Sequence, residues 1–78
     1  MEVEARLVFE YTSADVARDI AKIIQVDNEI APRNLKIDTA AEKCNVVTNI
    51  QSDRCKTLFA TIDDVLISEK LISEVLEI

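Results

Sequence analysis

The 78 residues read as a single domain over 1–78, with a thin stability margin, since so short a chain buries only somewhat over ~60% of the surface it exposes when unfolded. Its 49% apolar content argues against disorder, but Phe9, Phe59 and Tyr11 are the only aromatic residues, so the core is built from Ile, Leu and Val. A formal net charge of -6 works against large independent contacts with nucleic-acid phosphates, the lack of glycine excludes a phosphate-cradling loop or dinucleotide fingerprint, and the lack of histidine removes the commonest general base.

From Glu2 to Tyr11 the sequence alternates: Val3, Ala5, Leu7, Phe9 and Tyr11 point one way, and Glu2, Glu4, Arg6 and Glu10 the other, with Val8 the exception. That is a half-buried strand. Thr12 and Ser13 offer an N-cap to a helix whose apolar stripe is Val16, Ala17, Ile20, Ile23 and Ile24, with Arg18, Lys22 and Gln25 toward solvent. Pro32 biases Ala31 out of helical geometry, so this helix is expected to end near Gln25 to Asn28. Leu35 to Thr39 alternates with Leu35 and Ile37 inward, and Cys44 to Gln51 with Cys44, Val46 and Ile50 inward. Ala40 to Lys43 joins these strands as a hairpin turn. Without glycine to supply positive φ, a longer loop on a type I turn is expected, with Asn45 able to take the left-handed region.

The last helix starts at Ser52 or Asp53 as cap and carries Cys55, Leu58, Phe59, Ile62, Val65 and Leu66 on one face. After Ile67 the pattern slips, because Leu71, Ile72, Val75 and Leu76 centre roughly 110° further round. A bend near Ser68 repairs it, with Ser68 as a second cap and Glu69 in the following first turn.

The order is therefore strand, helix, strand, strand, helix. Setting the third strand between the first two makes every pairing antiparallel. The result is an α+β fold, a three-stranded antiparallel sheet with both helices on one face, KH-like in element order but without the GxxG loop that clamps a nucleotide backbone. Two strand edges stay open as templates for another chain.

Residues with chemical potential take ordinary roles. Asp63/Asp64 and Glu74/Glu77 lie on helix faces with no convergent pocket and read as solvated, not as acid–base pairs or Mg²⁺ ligands. Cys44 and Cys55 lack CxxC spacing and a histidine partner, so they read as core thiols. Arg18 and Lys22 form a small basic patch, with Asp15 and Asp19 in reach for helix ion pairs. No metal or cofactor is expected. The N-terminus has no secretory pattern and no apolar run approaches the ~20 residues of a membrane span, which places the chain in the cytoplasm.

Three segments carry a resemblance: "EARLVFEYTSADVARDIAKII", "QVDNEIAPRNLKI" with its acidic Asp27, Asn28, Glu29 turn, and "IQSDRCKTLFATIDDVLIS" followed by a short terminal helix. In order and spacing they resemble the Pcc family, the small dimer-forming subunit of the KEOPS complex, archaeal-type and related to the CTAG antigens. The resemblance implies a non-catalytic part in forming threonylcarbamoyl-adenosine beside the tRNA anticodon. It also implies self-association as a homodimer, docking of the catalytic subunit on the helices, and tRNA contact that is weak or made through the complex. Phe59 stands where the family commonly has Arg, which leaves open a paralogous subunit that forms a heterodimer. A stand-alone protein- or RNA-binding module is the competing class, and it lacks the expected basic stripe with interleaved aromatics. Arg18, Lys22, Leu71, Ile72 and Val75 are the candidate partner-binding residues. The last three belong to a terminal segment with more large apolar side chains than the core needs.

Overall fold

The structure is a computed structural model describing residues 2–28 and 34–76. Val3–Glu10 forms β1, whose side chains alternate half-buried and exposed along its length, as one covered face and one open face require. Ser13 is the cap of α1, Ala14–Asn28: its Oγ accepts from the Asp15 amide at 3.2 Å and the Val16 amide at 3.5 Å. Ala17, Ile20, Ala21 and Ile24 are buried, while Ile23, expected inside, is 43% exposed. The covered arc centres between positions 17 and 24, and Ile23 lies roughly 110° from that centre; Ala21 sits within it.

β2 spans Leu35–Glu42 and β3 Asn45–Ser52. Strand order is β1-β3-β2 with both pairings antiparallel, as the sequence predicts. The hairpin differs from expectation. Ala40 to Glu42 extend β2, leaving Lys43 and Cys44 as a two-residue connection between Glu42 and its partner Asn45. Lys43, not Asn45, takes the left-handed backbone, with φ of 56°, at a steric cost of roughly 1–2 kcal/mol. The ladder on both sides holds it there: Asn45 pairs with Glu10 as well as Glu42, and the Cys44 carbonyl accepts the Tyr11 amide at 2.9 Å.

As the middle strand, β3 is the most enclosed, with Val46, Thr48 and Ile50 fully buried. Thr48 is a polar residue in that row. Its hydroxyl pairs with that of Thr39 at 2.9 Å, which satisfies both away from water. Val47 faces the other side, flanked by Val8 and Ala40 in register, and is covered to 5% exposure by them.

α2 is one continuous helix, Cys55–Leu76, and Ser68 lies within it rather than capping a second helix. The reason is the face it buries. Leu58, Thr61 and Val65 are buried and Ile62, Ser68, Glu69 and Ile72 half-buried, a stripe that keeps helical phase through Ser68 to Ile72. Phe59 is 64% exposed, Leu66 43% exposed, and Cys55 is exposed. The buried stripe includes polar residues with local or tertiary partners: the Thr61 hydroxyl donates to the Thr57 carbonyl at 2.8 Å, and the Tyr11 hydroxyl donates to the Glu69 carboxylate. The start of α2 is steadied by Ser52, whose Oγ accepts the Arg54 amide at 3.2 Å.

Two apolar clusters form between sheet and helices. Ala17, Ile20, Ala21, Ile24 and Val46 make one, with Ile72 packed against it. Ile50, Leu58 and Val65 make the other. Phe9 touches both and joins them.

Candidate partner-binding surface

Helices α1 and α2 lie side by side over the sheet, and their outward surfaces carry the residues singled out from the sequence. Arg18 and Lys22 are exposed on α1, where they line a groove of about 610 Å³ with Ala21, Gln25 and β2 residues Thr39 to Ala41. Arg18 bonds Asp15 one turn earlier, the expected helix ion pair, and both are well exposed. Such an exposed pair contributes little to stability.

Leu71 is 60% exposed and Val75 73% exposed, whereas Ile72 between them packs on the α1 cluster. These three converge with Ile23 of α1 on a depression of about 300 Å³ whose lining is wholly apolar. The sequence assigned Ile23 to the core, and a signal was available: Ala17, Ile20, Ala21 and Ile24 already complete one helical face. Asp27 and Asn28 form the last turn of α1 rather than a separate turn. Glu29, Pro32, Glu77 and Ile78 lie outside the described residues.

The sites considered for chemistry are not brought together. Cys44 and Cys55 are free thiols beyond opposite ends of β3, roughly 25 Å apart by strand rise and far outside disulfide reach. Cys55 is a surface residue, not the core thiol expected, because it falls off the buried stripe of α2. Asp63 and Asp64 are exposed, and among the described residues no three His, Cys, Asp or Glu side chains are grouped to hold a metal ion. Also among the described residues, no helix is long and apolar enough to cross a membrane.

The described residues thus present an α+β sandwich, a three-stranded antiparallel sheet under two helices, with an apolar depression between the helices. The family profile described as transcription factor Pcc1 matches residues 4–77. The chain belongs to the Pcc1 family, in agreement with the resemblance of its segments. Among solved structures, it is similar to a chain in the crystal structure of a binary complex of Gon7 and Pcc1, with a TM-score of 0.85 and 19% sequence identity over 96% of this chain and 93% of that one. That likeness establishes the shared fold. No curated protein sequence matches this chain.

Proposed function

We propose that this chain is a non-catalytic scaffold subunit of a KEOPS-type assembly that forms threonylcarbamoyl-adenosine next to the tRNA anticodon. In this reading it acts in the cytoplasm, self-associates, and docks the catalytic subunit through its helices. The observation that carries the reading is the match of the Pcc1 family over residues 4–77. Two features of the surface support it. Ile23, Leu71 and Val75 offer a partner helix an apolar seat, and Arg18 and Lys22 lie on the neighbouring helix surface where an acidic rim of a partner would meet them. The net charge of -6 leaves tRNA to be held mainly by other subunits.

A second reading replaces the homodimer with a heterodimer. It is favoured by the matched structure, which is a complex of Pcc1 with Gon7. Co-expression with the catalytic KEOPS subunit tests the main reading. Co-purification is expected, together with background signal when the chain alone is given threonylcarbamoyl donor and tRNA. Turnover by the chain alone, or failure to co-purify, ends it. Light scattering of the chain alone separates the two dimer readings.

A further inference from the structure

We propose that the groove between α1 and the outer edge of β2 is the seat of an acidic amphipathic helix from a partner protein, with two carboxylates one helical turn apart facing Arg18 and Lys22. This seat is separate from the apolar depression read above as the docking place of the catalytic subunit, and the inference stands whether or not that reading holds.

The two flanks of α1 differ. Ile23 lies roughly 110° from the centre of the covered arc on the side of α2, and Arg18 lies as far from it on the other side, with Lys22 beyond. The groove of about 610 Å³ opens on that second flank, over a floor that includes Ala21, Ala40 and Ala41. Side chains so small let another backbone approach closely and leave the space to be filled by the larger side chains of the arriving segment. From Arg18 to Gln25 the wall runs about 10 Å along α1, two turns, which matches the apolar stripe of a short helix.

The form of the occupant follows from the strand edge. The Thr39 amide points out of the sheet and donates to Gln25 Oε1 at 2.9 Å. An added strand finds that donor taken and a helix side chain in its path. A helix asks nothing of the edge, since its own backbone groups are bonded within it, and it docks by side chains alone.

The charge of the occupant follows from the two cations. Arg18 is paired only with the exposed Asp15, and Lys22 has no hydrogen-bond or ion-pair partner among the described residues. Asp38 and Glu42 of β2 are exposed on the opposite face of the sheet, where strand alternation turns them away from the groove. Arg18 and Lys22 stand about 6 Å apart along the helix axis, the spacing of carboxylates at i and i+4 on a facing helix. Nucleic acid fits less well, because no aromatic side chain lines the groove for bases to stack on and two cations neutralise few phosphates.

Peptide titrations of the full chain, followed by its amide chemical shifts, test the assignment. The probe is a synthetic helix of about 18 residues, long enough to hold helical form, with a leucine stripe flanked by glutamates at i and i+4; its counterpart carries lysines at those two positions. At physiological salt the glutamate peptide is expected to shift the Ala21, Ala40 and Ala41 amides. Arg18→Glu and Lys22→Glu are each expected to weaken its binding roughly tenfold or more, and the doubly reversed chain to take the lysine peptide instead. Both positions are exposed, and circular dichroism on each variant keeps a folding loss apart from a binding loss. Leu71→Glu, in the other depression, is expected to bind the glutamate peptide as the wild type does. Absence of shifts at those three amides, shifts centred on Leu71 and Val75, or binding indifferent to both reversals overturns the proposal. So does a single-stranded oligouridylate that shifts the same amides at lower concentration than the peptide. Co-purification with the catalytic subunit decides the docking reading separately.

Discussion

Replacing Leu71 or Val75 with glutamate separates a docking surface from a folding core, because the structure gives the two roles opposite magnitudes. With Leu71 60% exposed and Val75 73% exposed, each keeps less than half of its surface inside the domain. Complete burial of such a side chain is worth roughly 1.5–3 kcal/mol, so losing the covered fraction costs about 1 kcal/mol or less. A chain of this length is expected to hold about 4–12 kcal/mol in total, and both variants should fold. Against a partner helix the account reverses: the uncovered surface is what the partner buries, and a carboxylate stripped of water without a counter-charge costs several kcal/mol. A combined loss of about 3 kcal/mol or more weakens docking by roughly a hundredfold or more. Ile72 is the contrast, since it is half-buried and packs against the α1 cluster, and Ile72→Glu should lower stability clearly more than either exposed variant. The assay is co-purification with the catalytic subunit beside circular dichroism on each variant. Native spectra with undiminished binding for Leu71→Glu and Val75→Glu would end the docking proposal, and loss of structure in either would show that the exposure argument is wrong.

Lys43→Gly relieves the left-handed backbone at φ of 56° and should stabilise the domain by about 1 kcal/mol, reduced by the extra freedom glycine brings to the unfolded chain; a lower urea midpoint contradicts it. Ile20→Ala removes a fully buried side chain at the sheet–helix interface and should cost about 2–5 kcal/mol in chemical denaturation, so a cost under ~1 kcal/mol would mean the site is not the core. Tyr11→Phe deletes the hydroxyl that donates to Glu69 and should cost about 1–2 kcal/mol, with amide exchange in α2 around Glu69 rising first; unchanged exchange there would remove the bond from the account. The isolated chain should bind tRNA weakly, with affinity falling as salt rises, and nanomolar, salt-resistant binding would contradict the charge argument.

Sequence alone determined the order of elements, the sheet topology and most of the inward positions. Those depend on local alternation and on chain connectivity: a period of two shows in Val3 to Phe9 without reference to anything else, and a hairpin next to a helical crossover leaves one antiparallel arrangement of three strands. Tertiary structure decided which face α2 buries, because apolar spacing gave two competing stripes. The winner includes Thr61 and Glu69, polar residues whose burial or partial burial is tolerable when the Thr57 carbonyl and the Tyr11 hydroxyl are in place. Tertiary structure also set the hairpin length, since the register of β2 on β3 is strong enough to hold Lys43 in a conformation its side chain disfavours. The candidate surface was half legible. Leu71 and Val75 stood out as surplus apolar residues, but Ile23 joined them only when two helices from distant segments were laid side by side. Gln25 closing the β2 edge likewise depends on a contact across 14 residues of chain, which no local periodicity encodes.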